Sequence, residues 1–240
     1  AAGNQNGQQT EDGFYNAGCR TAEERFAVGD SLRFHRKGYR RTHIAILGEN
    51  SYHWVLLMFG VICSDNVLVT VDKGLEYKTM QSIVGRSDSR VLFYSREYEE
   101  KAGQLKEQYG LDVYPLSEVL SYADEGREMG HSAAISTDPD AMAILMYTSG
   151  TTGPSKGVML SQRNAMNNLC VSANHTYLYG DSNYLLPLNH IYGLVSALLV
   201  TFYHGCTNTI NLNLRYMLDD IREARPEILF LVPLFLETMY

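Results

Sequence analysis

The sequence contains no C-x-x-C pair, no H-E-x-x-H run and no basic-then-apolar leader. Each absence removes a class of function. Its four cysteines stand at 19, 63, 170 and 206, a spacing that suits neither a zinc site nor a dense disulfide framework. Cys63, Cys170 and Cys206 lie in apolar stretches and read as buried free thiols in a reducing, cytoplasmic compartment. The seven histidines show no ligand spacing, so a structural metal site is not expected. With 20 basic against 27 acidic residues the formal charge is −7, a balance that argues against nucleic acid as a partner. Internal repeats and coiled-coil heptads are also missing. From residue 182 to 214 there is no Asp, Glu, Lys or Arg, but Pro187, Asn189, His190 and His204 interrupt the run. A spanning helix needs about 20 predominantly apolar residues. The stretch therefore reads as a buried helix, with peripheral membrane contact left open.

What is present is the pattern of an α/β protein. Residues 1–13, rich in Gln, Asn and Gly, form a mobile lead-in, and the body runs from 14 to 240. Hydrophobic content of 45% in 240 residues is enough for a sizeable core. Periodicity predicts helix 23–37 ended by Gly38, strand 44–47, and a helix 51–64 capped by Ser51 with Tyr52, Val55, Leu56 and Phe59 on one face. Strand 67–71, helix 76–86, strand 91–94 and a charged helix 97–109 follow. Residues 121–139 are looser, with three acidic residues ahead of Asp138-Pro139, and read as an internal excursion. Then come strand 141–147, strand 157–160, a helix begun by Ser161, strand 184–188, helix 191–203, strand 206–211, helix 215–224 and strand 227–232. Strands separated by helices imply mostly parallel sheets covered by helices on both faces.

Residues 147–160 read Tyr-Thr-Ser-Gly-Thr-Thr-Gly-Pro-Ser-Lys-Gly-Val-Met-Leu. Glycine lets backbone N–H groups approach a ligand closely, and inward N–H groups form a concavity suited to anions. Hydroxyls add donors, and Lys156 adds a flexible point charge. The chemistry is that of a loop wrapping a polyphosphate. The nucleotide-hydrolase pattern G-x-x-x-x-G-K-[ST] fails here, because from Gly150 it demands Gly at 155 and Ser or Thr at 157, where Ser155 and Gly157 stand. A local positive charge in an acidic chain, Lys156, also suits a Mg²⁺-carrying substrate better than a bare polyanion.

This run resembles the phosphate-binding signature of the adenylate-forming superfamily, [YF]-T-S-G-[ST]-T-G-x-P-K-G-V. The match holds through Gly153, after which Pro154-Ser155 replaces the usual x-Pro with the spacing to Lys156 kept. Leu186-Pro187-Leu188-Asn189-His190-Ile191-Tyr192-Gly193 is similar to the family's next motif, L-P-x-x-H-x-x-G. The likeness extends from about residue 25 to 240 and carries the flavour of bacterial long-chain fatty acid–CoA ligases, in Ile44-Ala-Ile-Leu-Gly-Glu-Asn-Ser51 upstream and Ile228-Leu-Phe-Leu-Val-Pro-Leu234 downstream.

The family's later motifs, Y-G-x-[ST]-E with its Mg²⁺-holding glutamate and T-G-D with its ribose-binding aspartate, do not occur. Nor does the final lysine of a small C-terminal domain, and the sequence ends within a helical pattern. The resemblance therefore implies an N-terminal part of an enzyme, inactive alone, whose apolar end at 228–240 predicts self-association.

The activity the resemblance implies is activation of a carboxylic acid, such as a long-chain fatty acid, by ATP. An acyl-adenylate forms, pyrophosphate leaves, and coenzyme A takes the acyl group as a thioester. Thr148, Ser149, Gly150, Thr151, Thr152, Gly153 and Lys156 would bind the phosphates, with Lys156 stabilising charge on the departing pyrophosphate. Thr148 would approach Mg²⁺. His190 would orient carboxylate and adenylate, while Tyr192, Gly193 and Leu194 shape the mouth of the acyl pocket. Gly193 has an equal second reading, as a residue that permits close packing at a helix start. Two other functions remain open at this point: an amino-acid or aryl-acid adenylation domain, and a non-catalytic nucleotide-binding module. Ligands in an open α/β sheet sit at the carboxyl ends of strands. If strands 141–147 and 184–188 are neighbours, the loop and His190 open on one cleft.

Overall fold

The computed structural model describes residues 34, 37–120, 138–148, 155–178, 180–184, 186–211, 216–231 and 233. The lead-in 1–13, most of helix 23–37 and nearly all of the excursion 121–139 lie outside them. The described residues fall into two compact units. One lies within Arg20–Glu49 and His53–Asn168, the other within Asn50–Tyr52 and Leu169–Tyr240.

The first unit is built on a six-stranded sheet. Its strands are β1 (His43–Leu47), β2 (Val67–Val71), β3 (Ser89–Tyr94), β4 (Asp112–Pro115), β5 (Met142–Thr148) and β6 (Lys156–Ser161), in the order β4-β3-β1-β2-β5-β6. All pairings are parallel except the β5–β6 hairpin. Helices α1 (Tyr52–Cys63), α2 (Tyr77–Arg86) and α3 (Glu99–Tyr109) make the crossovers. Successive strand residues point to opposite faces, and both faces are buried. On one, Ala45, Leu47, Val69 and Leu92 pack with Met80, Ile83 and Val84 of α2 and with Ala102 and Leu105 of α3. On the other, Ile44, Ile46, Leu68 and Phe93 are also buried, and Phe34 meets Phe93 edge-on at 6.1 Å between ring centroids. Each large apolar side chain so removed from water contributes about 1.5–3 kcal/mol. The α/β class and the mostly parallel, helix-flanked sheet are as the pattern predicts.

Two local expectations are corrected. The inward face of α1 is Trp54, Leu57, Met58 and Val61, with Val55, whereas Tyr52, Leu56 and Phe59 are only half-buried. That helix is apolar almost all round, so periodicity cannot choose a face. Strand β4 escapes the pattern because it is short, half polar and ended by Pro115, a composition tolerated only at a sheet edge.

Helix α4 (Gln162–His175) opens with a reciprocal cap: Asn164 N–H donates to Ser161 Oγ at 3.2 Å, and Ser161 N–H donates to Asn164 Oδ1 at 3.0 Å. Only Ala165, Leu169 and Ala173 of this helix are deeply buried. Cys170 is therefore exposed and Cys63 half-buried, and of the three thiols read as buried only Cys206 is so.

The second unit holds a three-stranded parallel sheet, β8-β7-β9, from β7 (Asp181–Tyr184), β8 (Thr207–Ile210) and β9 (Ile228–Phe230). A π-helix, Tyr192–Leu199, runs into α5 (Val200–Tyr203), and α6 (Met217–Ala224) precedes β9. Leu169, Val195 and Val200 form its described apolar cluster. The strand expected at 184–188 lies at 181–184 instead. Residues 186–190 turn, because Pro187 has no N–H and its carbonyl accepts the His190 N–H at 3.2 Å. Since β5 and β7 belong to different sheets, they are not neighbours, and the pairing that would open both motifs on one cleft is absent.

Candidate functional site: a phosphate-loop hairpin and a histidine turn

The phosphate-loop motif is carried by the β5–β6 hairpin. Residues 149–154, with Ser149, Gly150, Thr151, Thr152 and Gly153, lie outside the described residues; both stems are described. Tyr147 pairs with Gly157 and Thr148 with Lys156, so the first hydroxyl of the motif and its lysine face each other across the hairpin. Ala143 to Met146 are buried, while Thr148 and Lys156 are exposed. The hairpin thus anchors its β5 strand in the core, leaves most of β6 exposed, and presents a hydroxyl and a cation at its open end.

A residue that the sequence reading missed grips both stems. Arg86, the last residue of α2, donates to the Ser155 carbonyl, and its guanidinium carbon stands 5.4 Å from the Tyr147 ring centroid. Burial pushes the Tyr147 hydroxyl pKa up, partly offset by the Arg86 charge. Nothing in the local sequence marks Arg86, which lies far from the loop along the chain.

Among the described residues no group of three or more His, Cys, Asp or Glu converges on a point. The donor set beside Thr148 is a hydroxyl and a lysine, which does not make a Mg²⁺ cage. It fits only an ion whose other ligands come from phosphate oxygens and water.

The second motif lies in the other unit. Leu186 and Leu188 are buried, Pro187 is exposed, and the turn delivers an exposed His190. Its carbonyl then accepts the Leu194 N–H at 2.9 Å and starts the helical segment. Tyr192 is exposed, whereas Gly193 and Leu194 are buried. Within the segment the Val200 N–H reaches the Val195 carbonyl, the five-residue step of a π-helix. π-Helical turns are rare and frequently mark functional sites. No helix among the described residues is long and apolar enough to cross a membrane.

Comparison with known proteins extends the motif reading to residues 21–240. Residues 21–240 match the model of the AMP-binding enzyme family. A long-chain-fatty-acid–[acyl-carrier-protein] ligase of Arabidopsis thaliana is 27% identical over 82% of this chain and 31% of its own length. A long-chain-fatty-acid–CoA ligase of Cavia porcellus is 23% identical over 89% of this chain and 35% of its own. The chain thus spans about a third of the length of the curated relatives it matches. The solved o-succinylbenzoate CoA synthetase of Bacillus subtilis superposes with a TM-score of 0.71 at 24% identity, over 90% of this chain and 55% of that one. Its likeness is one of fold. A signature hairpin, a histidine turn and a family match over nine-tenths of the sequence agree, and the chain belongs to the AMP-binding enzyme family.

Proposed function

We propose that this chain takes part in ATP-dependent activation of a carboxylic acid, with a long-chain fatty acid as the first choice of substrate. The observation that carries the reading is the hairpin that sets Thr148 opposite Lys156 at the mouth of the signature loop. Relatives named as acyl-CoA and acyl-carrier-protein ligases support the substrate class.

A carboxylate oxygen is a poor leaving group, so no thiol displaces it directly. Attack of that oxygen on the α-phosphorus of ATP forms a mixed anhydride and breaks the bond to pyrophosphate. Lys156, with Thr148 and the loop donors Ser149, Gly150, Thr151, Thr152 and Gly153, binds the phosphates and meets the charge growing on the departing pyrophosphate. Magnesium ion, when bound, screens the triphosphate, and Thr148 offers it one hydroxyl. His190 orients the carboxylate and the adenylate, and Tyr192, Gly193 and Leu194 border the acyl pocket. The thiol of coenzyme A then attacks the activated carbonyl and AMP leaves.

The test is carboxylate-dependent ATP–pyrophosphate exchange, run on this chain and on any longer natural polypeptide that contains it. Fatty-acid-dependent exchange supports the reading. Exchange with amino or aryl acids alone replaces the fatty acid. Nucleotide binding without exchange by any acid reduces the chain to a binding module.

A further inference from the structure

The segment before α1 contains a side chain that the reaction scheme does not use. Asn50 belongs to the same compact unit as residues 186–194. Its Nδ2 donates to the Leu186 carbonyl at 2.9 Å, and its Oδ1 accepts the Leu188 N–H at 3.0 Å. One primary amide therefore satisfies two backbone groups on either side of Pro187, as a paired strand would. Leu186 and Leu188 are 2% and 0% exposed, so these groups have little water to turn to. A primary amide offers an N–H donor and a carbonyl acceptor on two separate atoms of one short side chain; aspartate, as the carboxylate, lacks the donor and leucine lacks both.

The contact continues toward His190. The Pro187 carbonyl, held between the two clamped residues, accepts the His190 N–H, and the His190 carbonyl accepts the Leu194 N–H. Gly193 packs against the same Pro187 carbonyl. Residues 186–194 are thus a short rigid relay with Asn50 fixing one end and His190 near the middle.

We propose that Asn50 is a positioning residue: its two-point clamp on Leu186 and Leu188 sets the turn that aims His190 at the carboxylate substrate. This inference rests on the activation reading above. Asn50 touches the substrate nowhere in this scheme, and its effect passes through the backbone of 186–190.

Two variants test it in the exchange assay, made in this chain if it exchanges and otherwise in a longer natural polypeptide that contains it. Asn50→Asp keeps the shape and the acceptor but turns an oxygen toward the Leu186 carbonyl. Asn50→Ala removes both bonds. Both are expected to lower kcat/KM for the carboxylate roughly tenfold or more, the scale of one or two lost hydrogen bonds. The KM for ATP should stay within twofold. In a cycle with His190→Ala, the double variant should be no worse than His190→Ala alone, because both changes remove one function. Hydrogen exchange gives a readout apart from turnover: Asn50→Ala should speed exchange at the Leu188 amide at least tenfold and leave the β1 amides unchanged.

If wild-type protein exchanges but Asn50→Asp matches it, only the positioning inference falls. It falls too if the ATP KM rises as much as that of the acid, or if both variants unfold at 25 °C, which would make Asn50 simply structural. If neither this chain nor a longer natural polypeptide that contains it shows exchange with any carboxylate, the activation reading fails first and takes this inference with it.

Discussion

A β-carbon on residue 193 would stand 2.2 Å from the carbonyl oxygen of Pro187. The obstacle is backbone and cannot swing away like a side chain. Gly193 is therefore needed for the approach of the π-helix to the motif turn, and the packing reading of this glycine has direct geometric support. Gly193→Ala is expected to cost about 1–3 kcal/mol, the scale of an overpacked core site. Urea or thermal melting measures it, and a loss under 0.5 kcal/mol would contradict the contact.

Lys156 is the one charge that the hairpin presents beside Thr148. Charged hydrogen bonds contribute about 1.5–3 kcal/mol. Lys156→Ala should weaken ATP binding roughly ten- to a hundredfold, with Lys156→Arg recovering part of the loss. Titration with ATP is the measurement, and affinity unchanged by Lys156→Ala would remove the lysine from the phosphate site.

Arg86 joins the two stems of the same hairpin through Ser155 and Tyr147. Its side chain is exposed, so solvent screens both contacts and the effect on stability should be small, within about 1 kcal/mol. Nucleotide affinity should respond more, falling about three- to tenfold in Arg86→Ala. Arg86→Lys restores less than half of that, because one ammonium cannot lie over a ring and reach the Ser155 carbonyl together. Equal losses of melting temperature and affinity would instead mark Arg86 as a plain structural residue.

Tyr98 provides a pH signature. It is 8% exposed, and burial first, then the carboxylates of Glu97, Glu49 and Asp72, push its hydroxyl up to about 12. The neutral form is favoured by folding. The associated stability is fully present below the unfolded value near 10, and it is lost as pH rises through the folded value. The loss amounts to roughly 2–3 kcal/mol if the shift is fully expressed. Denaturant melts between pH 9 and about 12 should show a decline that Tyr98→Phe flattens, and identical slopes in both proteins would refute the assignment.

Much of this was legible in the chain itself. The strands β1, β2, β3 and β5 centre on mostly apolar runs without strict alternation, and a sheet covered on both faces hides such runs. The phosphate motif was legible because its order of glycine, hydroxyl and lysine is far more particular than a turn requires. The less readable elements each depend on a distant partner. The buried face of α1, with Trp54 and Leu57, is chosen by the surrounding fold, and its own apolar sequence does not encode that choice. Cys170 lies in an apolar context along the chain, yet its helix buries the stripe of Ala165, Leu169 and Ala173 and leaves it outside. The strand expected at 184–188 ends at Tyr184 because a proline and an asparagine 138 residues away claim the next backbone groups.

The sequence by itself determined the α/β class, the signature run at 147–160 and the family to which the chain is similar. Those depend on local order, namely which residue types follow one another and at what spacing. Only the tertiary structure decided that Arg86 holds both stems of the hairpin and that Asn50 clamps the turn bearing His190. Such contacts join residues tens to more than a hundred positions apart. The energy of each is a few hydrogen bonds, too small to leave a pattern in the chain and large enough, once the core has brought the partners together, to fix where a functional side chain points.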